Sequence, residues 1–327
     1  MIVVTGGAGF IGSAIVWKLN AMNETDIMIV DSLGKSEKWK NLRNLKYSDY
    51  LEKDIFLEKI EKKFFDGNDI ECIFHLGACS STTERDCRYL VINNFEYTKK
   101  LAEFAVEHEI RFIYASSAAT YGAGENGYSD NEKFLEKLQP LNMYGYSKQM
   151  FDLYAMRKKI MPKIVGLKFF NVFGPNEYHK DDMRSLAHKA YYQIKETGSV
   201  NLFKSYHPEY KDGEQKRDFI YIKEAVSKSV AFLEYFKTNG IFNIGASKAC
   251  TWIELVTPIF KALKKPVKIN FIEMPEHLKP KYQYYTAADM TKFDSEISDK
   301  KMIQTFSLNE AVTDYVLNYL EKDGYLC

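Results

Sequence analysis

The sequence predicts an α/β fold in which a doubly wound parallel sheet is followed by a smaller α+β part. Short apolar runs recur through the first half of the chain, with amphipathic segments between them. Strands that alternate with helices in this way form parallel sheets with helices on both faces. The apolar runs occupy residues 2–4, 27–30, 70–76, 112–116 and 164–170.

The pattern changes after Gly174-Pro175, where longer loops replace the regular alternation. Helical spacing predicts helices near 185–195, 251–264 and 308–320. Two strand-like segments, which we expect to return to the sheet, lie at 217–222 and 240–245. We therefore expect a first domain of residues 1–170, with returning segments near 217–245, and a second domain of residues 171–327.

Length, charge and cysteine usage exclude several classes of protein. The 327 residues can bury a substantial core, and an apolar fraction of 46% is typical of a folded chain. The near balance of 45 Lys and Arg with 44 Asp and Glu gives no electrostatic basis for binding nucleic acid or a membrane. We expect no membrane helix and no secretory leader. The five cysteines form no CxxC pair, so we expect reduced thiols, no metal site and a cytoplasmic location.

Three glycines at intervals of three follow the first predicted strand and open a helix. Gly6, Gly9 and Gly12 allow a tight turn and a close approach of backbone N–H groups to a pyrophosphate. The dipole at the start of the helix favours the same negative charge. Asp31 ends the next predicted strand, where a Rossmann-type fold places an acid on the adenosine ribose. Together these features predict a dinucleotide cofactor, although a glycine triplet alone also fits a purely structural turn.

The residues around Asp31 leave the identity of the cofactor open. A carboxylate at this position accepts hydrogen bonds from the ribose hydroxyl of NAD. Ser32, Lys35 and Lys38 follow closely, and their side chains are suited to the 2′-phosphate of NADP. A solvent-exposed charged loop is the simpler interpretation of these lysines, so both cofactors remain possible.

Tyr144 and Lys148 are four residues apart, which brings them to the same face of a helix. A free tyrosine has a pKa near ~10 and is a poor base at neutral pH. An adjacent ammonium group and a positive nicotinamide ring are expected to lower that pKa. Ser117, at the end of a predicted strand, can hydrogen-bond the substrate oxygen that Tyr144 deprotonates. The pair alone occurs by chance in many helices, but its combination with the glycine loop and Ser117 predicts an enzyme.

Several segments resemble the extended short-chain dehydrogenase/reductase family, namely TGGAGFIGS, HLGACSSTTE, YASSAATYG, MYGYSK, FFNVFGP, RDFIYI and GIFNIG. Together they span nearly the whole chain. The branch that epimerises ADP-glycero-manno-heptose at C6 is the most similar, through FHLGACSSTTERD, PLNMYGYSK and FFNVFGPNEYHK. The resemblance implies a homo-oligomer, commonly a pentamer, that binds this nucleotide sugar and supplies a precursor of lipopolysaccharide.

The resemblance also implies a mechanism and a set of site residues. The nicotinamide takes a hydride from C6, and the transient 6-keto sugar turns and receives the hydride on its opposite face. One acid/base group is needed on each face, and the family places Tyr144 and Lys180 there. From the residues alone, a lysine at position 180 after a Gly-Pro turn is more often a surface charge, and the resemblance reverses that interpretation. One NADP or NAD per subunit would contact the glycines, Asp31, Lys148 and Lys180, together with Phe10, Ile11, Ser32, Lys38, Lys53, Leu76, Gly77, Ala78, Cys79, Ser80, Asn93 and Val172. The substrate would contact Ser117, Asn171, Asp182, Lys189, Phe203, Arg217 and Tyr282.

Some residues of the second half depart from the family pattern. Asp181-Asp182 stand where small residues are usual, Lys189 lies near the usual place of a histidine, and the segment 204–216 is longer and more basic. These changes leave open another sugar-nucleotide epimerase, for instance one acting at C4 of a hexose. A non-catalytic dinucleotide sensor is the alternative of a different class, and the retained Tyr-x-x-x-Lys pair argues against it.

Overall fold

The computed structural model describes residues 1–65, 69–276, 278–279 and 282–327. The strands are β1 Ile2–Thr5, β2 Ile27–Asp31, β3 Asp49–Glu52, β4 Cys72–His75, β5 Arg111–Ser117, β6 Val165–Phe169, β7 Asn171–Phe173, β8 Val200–Phe203, β9 Lys216–Tyr221, β10 Gly240–Ile244, β11 Ala249–Thr251 and β12 Ile269–Ile272. The α-helices are α1 Phe10–Ala21, α2 Lys53–Glu61, α3 Cys87–Leu90, α4 Tyr97–Glu107, α5 Met143–Arg157, α6 Leu186–Thr197, α7 Ile222–Ala231, α8 Trp252–Ala262, α9 Thr291–Glu296 and α10 Leu308–Asp314. Short 3-10 helices occupy Glu37–Leu42, Ala118–Tyr121, Glu132–Lys137, Met161–Lys163, Tyr178–Met183 and Leu320–Lys322, and π-helical turns occupy Val91–Glu96 and Tyr315–Tyr319.

Among the described residues, seven parallel strands form the main sheet in the order β10-β6-β5-β4-β1-β2-β3. Every residue of β1, β2 and β4 is buried, as expected for strands that are covered on both faces. The strand order reverses between β1 and β4, and ligands of such sheets bind outside the carboxyl ends of the strands at this point. The predicted doubly wound parallel sheet is therefore confirmed.

Helices cover both faces of this sheet and contribute to one hydrophobic core. Helix α1 packs against α7, and α2 packs against α4. The predicted helices correspond to α6, α8 and α10, although the last one passes into irregular helical turns after Asp314. Within the described ranges, no helix is both long enough and apolar enough to cross a membrane.

The two returning segments behave differently. Strand β10 pairs with β6 and extends the main sheet, as predicted. Strand β9 instead pairs with β7 and β11 in a separate three-stranded sheet, so its predicted return to the main sheet is wrong. The physical reason is that β10 occupies the free edge of β6, while β7, directly after β6, offers β9 a partner. A further short sheet joins β8 and β12.

Candidate active site

The turn between β1 and α1 and the first turn of α1 have no room for a side chain at Gly6 or Gly12. Gly6 has a φ of +66°, and a Cβ atom there would lie 2.7 Å from the backbone nitrogen of Gly77. A Cβ atom on Gly12 would lie 2.1 Å from the carbonyl oxygen of Gly6. Helix α1 begins at Phe10, directly after Gly9. Because the turn is bare and the helix start is open to a cavity, the loop fits the pyrophosphate of a dinucleotide.

A cavity of about 970 Å³ runs from this turn along the carboxyl ends of β4, β5 and β6 towards α8. This volume lies in the range of cofactor and ligand sites. The residues predicted for the site that line the cavity are Gly6, Gly9, Phe10, Ile11, Gly12, Asp31, Lys38, Leu76, Gly77, Ala78, Cys79, Ser80, Ser117, Tyr144, Lys148, Asn171, Val172 and Lys180.

The other predicted residues lie elsewhere, and several of them bind one another. Lys53 Nζ donates to Asn93 Oδ1 over 2.8 Å. Lys189 Nζ donates to the carbonyl oxygen of Asp182 over 2.6 Å, and both residues are exposed. The remaining ones are Ser32, which follows Asp31, Phe203, at the end of β8, and Arg217 and Tyr282, in an aromatic cluster.

Asp31 is buried and serves as an acceptor for both the loop and a lysine. Its Oδ2 accepts the N–H of Ala8 over 2.9 Å. Its Oδ1 accepts the N–H of Ser32 and the Nζ of Lys38, both over 2.6 Å. The carboxylate therefore fixes the glycine loop, and the Lys38 ammonium lies beside it.

Tyr144, Ser117 and Lys148 meet at one end of the cavity. Tyr144 lies in the first turn of α5, which Asn142 caps by accepting the N–H of Gly145 over 2.8 Å. Lys148 Nζ, one turn further on, donates to the carbonyl oxygen of Ala115 over 2.8 Å. Burial lowers the pKa of Lys148 to about 8.

Burial raises the pKa of Tyr144, and a hydrogen bond with Ser117 partly opposes this rise. The sequence predicts the opposite direction for the site with a positive nicotinamide ring beside Tyr144. Desolvation penalises the charged form of each group, so a tyrosine pKa rises and a lysine pKa falls in the same pocket. The site as described therefore holds a neutral phenol that is hydrogen-bonded and oriented, next to a lysine poised near neutral pH.

A buried charge network that the sequence did not reveal lies behind Lys148. Asp152, one turn along α5, accepts hydrogen bonds from Tyr114 and Ser116, each over 2.8 Å. It also forms an ion pair of 2.7 Å with Lys168, and both side chains are fully buried. The network joins α5 to β5, which carries Ser117, and to β6, which leads to Asn171 at the start of β7.

Asn94 is a second residue that sequence reasoning missed. It is buried in a π-helical turn, and its side chain bonds both the N–H and the carbonyl oxygen of Cys79, over 2.8 and 2.9 Å. Its Nδ2 also donates to Ser147 Oγ, which in turn donates to the carbonyl oxygen of Tyr144. Asn94 therefore fixes the loop of residues 76–80, called the cavity loop below, to helix α5, which carries Tyr144. Two adjacent asparagines, which are poor helix formers, inside a helical pattern were the available signal.

Lys180 reaches the cavity from the 3-10 helix Tyr178–Met183. Its Nζ lies 5.6 Å from the ring centre of Phe10, at the start of α1. Burial lowers its pKa, and the Glu177 carboxylate opposes that shift. Glu177 is itself buried and accepts the hydroxyls of Ser185 and Tyr315 over 2.7 and 3.0 Å. Lys180 and Tyr144 therefore enter one cavity from two different elements.

Arg217 is buried in an aromatic cluster next to the cavity. Its guanidinium lies 5.6 Å from the ring centre of Trp252 and 5.2 Å from that of Tyr282. Trp252 lines the cavity and donates its Nε1 hydrogen to the Tyr282 hydroxyl over 2.8 Å. Burial lowers the pKa of Arg217, but the group stays cationic and is suited to an anionic ligand.

Residues 2–245 match the NAD dependent epimerase/dehydratase family. The chain is 50% identical over 323 residues to an ADP-L-glycero-D-manno-heptose-6-epimerase of Nitratidesulfovibrio vulgaris, with 98% of each chain covered. Its fold is similar to the crystal structure of the Helicobacter pylori ADP-L-glycero-D-manno-heptose-6-epimerase, with 26% identity, a TM-score of 0.77, and 97% and 95% of the two chains covered. It is also similar to the Bacillus cereus UDP-glucuronic acid 4-epimerase in complex with UDP-glucuronic acid and NAD, with 25% identity, a TM-score of 0.79 and 99% of each chain covered.

Proposed function

The chain belongs to the NAD dependent epimerase/dehydratase family and is an epimerase of sugar nucleotides, and from this premise we propose that it converts ADP-D-glycero-D-manno-heptose to the L-glycero epimer at C6. One observation carries the proposal most directly. Tyr144 and Lys180 line the same cavity as the glycine turn, yet they come from different elements. Inversion by oxidation and reduction needs one acid/base group on each face of the reacting carbon, and this pair supplies two.

The cavity is suited to a nicotinamide dinucleotide, which would supply reversible hydride transfer. The glycine turn and the start of α1 would hold the pyrophosphate, and the loop of residues 76–80 would lie along the cofactor. We propose NADP, because Lys38 is already beside Asp31 and Ser32 is adjacent. Lys53 and Asn93, which are hydrogen-bonded to each other, would contact the adenosine part of the cofactor.

The residues of the cavity would move the protons of the reaction. The Tyr144 phenol must first lose its proton, which the Lys148 ammonium and the positive nicotinamide ring of a bound cofactor would favour. The phenolate would then take the proton of the C6 hydroxyl during oxidation at C6, and the Ser117 hydroxyl would orient the same oxygen. The Lys148 ammonium stabilises the phenolate while it exists. Once the 6-keto sugar has turned, Lys180 would deliver a proton to its oxygen while the opposite face of C6 is reduced. Release of one proton from Tyr144 to solvent and uptake of one by Lys180 would then return both groups to their starting states. The net change is inversion at C6, with no oxidant consumed.

The substrate would occupy the end of the cavity next to Arg217. The Arg217 guanidinium would bind the diphosphate of the substrate, and Tyr282 would lie beside it. We propose that Asn171, Asp182, Lys189 and Phe203 make further contacts with the substrate, and that they belong to a second domain of residues 171–327. We also propose a cytoplasmic homo-oligomer, with five subunits as the family resemblance implies.

Incubation with ADP-D-glycero-D-manno-heptose, followed by NMR of the C6 stereocentre, tests the proposed substrate. Inversion at C6 with this sugar, and no reaction with GDP- or UDP-hexoses, is the expected result. Epimerisation of a UDP-hexose at C4 instead would favour the alternative that the similarity to a 4-epimerase suggests. A bound cofactor that cycles with none of these sugars would favour a dinucleotide sensor.

Steady-state turnover of Tyr144→Phe and Lys180→Met tests the roles of the two groups. Each change is expected to reduce kcat at least about 100-fold, the usual size of a lost acid/base group. Tyr146→Phe is the matched control, because this tyrosine is 51% exposed only two residues away. Near-normal epimerisation by both Tyr144→Phe and Lys180→Met would contradict the two-base scheme.

A further inference from the structure

Residues 324–327 contact the turn that carries Lys180. The Tyr178 hydroxyl donates to the carbonyl oxygen of Gly324 over 2.8 Å. The N–H of Leu326 donates to Asn176 Oδ1 over 3.0 Å, and the Leu326 side chain is only 1% exposed. The segment is therefore packed against the turn, and none of its residues lines the cavity.

The same segment is joined to helix α1, which begins at the glycine turn. Trp17 Nε1 donates to the carbonyl oxygen of Cys327 over 3.1 Å. Asn176 is fully buried with a φ of +75°, and its Nδ2 donates to Ser13 Oγ over 2.9 Å. One amide side chain therefore connects three parts of the chain: residues 324–327, helix α1 and the turn before Lys180.

Asn41 adds a bridge from the glycine loop. Its Nδ2 donates to the carbonyl oxygens of Ala8 and Asn176, over 2.9 and 3.1 Å. The turn that carries Lys180 is thus joined to the glycine loop through Asn41, and it is also bonded to residues 324–327.

The turn itself has weak internal support. It is a 3-10 helix, whose hydrogen-bond geometry is poor, and Asp181 within it has a φ of +46° that L-residues rarely adopt. The N–H of Lys180 donates to the carbonyl oxygen of Glu177 over 3.1 Å. The position of Lys180 must therefore depend on contacts made from outside.

We propose that residues 324–327 form a strap that positions Lys180 in the cavity. This inference rests on the proposed acid/base role of Lys180. Tyr178, Asn176 and Leu326 are positioning residues, because they act on the reaction only through the turn. A displacement of about 1 Å in a reacting group can reduce a rate up to 100-fold, so a loosened strap should slow the chemical step more than it weakens substrate binding.

Two variants loosen the strap by different means, and each has a matched control. Tyr178→Phe removes only the hydroxyl that bonds Gly324, and Leu326→Ala removes the buried side chain. Tyr192→Phe and Leu317→Ala make the same chemical changes at positions that are 38% and 41% exposed. Backbone hydrogen–deuterium exchange of the holoenzyme, followed by mass spectrometry, measures the turn independently of any activity.

We expect faster exchange in peptides covering residues 176–183 in both strap variants, and unchanged exchange in those covering 144–152. In the same variants kcat should fall about tenfold for Leu326→Ala and about threefold for Tyr178→Phe, with KM for the sugar within about twofold. Both controls should match the unaltered protein. Unchanged exchange of 176–183 would overturn the proposal, and so would faster exchange with an unaltered kcat.

Failure of the proposed function has a different signature. An unaltered protein that does not epimerise ADP-D-glycero-D-manno-heptose would refute that substrate, while the exchange measurement would still decide whether the strap holds the turn. An active unaltered protein with unaffected strap variants would refute only the strap.

Discussion

The buried ion pair behind Lys148 gives a stability prediction whose size follows from the structure. Asp152 and Lys168 are fully buried and 2.7 Å apart. The Asp152→Asn variant removes the negative charge but keeps the shape, so the Lys168 ammonium stays buried with Thr120 Oγ1 as its remaining close partner, at 2.6 Å. Removing one member of such a pair costs about 3–5 kcal/mol. Urea unfolding at pH 7 is expected to show that the free energy of unfolding of Asp152→Asn is lower by this amount.

A second substitution separates the charge from the packing. The double variant Asp152→Asn with Lys168→Met has no buried charge left at this place, so we expect it to recover at least about 2 kcal/mol relative to the single variant. Asp294→Asn, in an exposed ion pair with Lys300, is the control and should leave the unfolding midpoint unchanged. A single variant that loses less than about 1 kcal/mol, or a double variant no more stable than the single one, would refute the reasoning.

Three further predictions concern the cofactor loop, pH and cofactor choice. Gly12→Ala should weaken cofactor binding at least about 100-fold, because its Cβ atom would lie 2.1 Å from the Gly6 carbonyl oxygen; an unchanged Kd by fluorescence titration contradicts this. Burial lowers the pKa of Lys148 to about 8 from 10.5, so between these values the unfolded chain binds more protons at this residue than the folded one. The free energy of unfolding of the unaltered protein, minus that of Lys148→Met, should therefore rise with pH over this range, and a constant difference contradicts this. Lys38→Ala removes the ammonium next to Asp31 and should weaken NADP about tenfold and NAD less; equal losses for both contradict the proposed preference for NADP.

Much of the fold followed from local patterns in the sequence. The strands predicted in the first half correspond to β1, β2, β4, β5 and β6, because each is a buried apolar run bounded by turns. Strand β3 was missed, since Asp49–Glu52 is short and partly exposed. The pairing of β9 was predicted wrongly, because a strand pattern indicates extended backbone but not the edge that accepts its hydrogen bonds.

The sequence predicts those parts of the site whose residues lie together in one short motif. The glycine turn and Tyr144 with Lys148 lie in short segments whose spacing determines their geometry. Two other contacts join different elements of the fold. Asp152 pairs with Lys168, 16 positions along the chain, and Asn94 bonds Cys79 of the cavity loop, 15 positions away. No local pattern encodes such contacts, because they form only once the sheet and helices have packed.

The central claim is that C6 is inverted by removal and return of one hydride between Tyr144 and Lys180. The most direct test is the fate of deuterium in ADP-D-glycero-D-manno-heptose labelled at C6, when the reaction runs in ordinary water. We predict an inverted product that retains the deuterium at C6, because the hydride never exchanges with solvent. Loss of the deuterium to water would contradict the account.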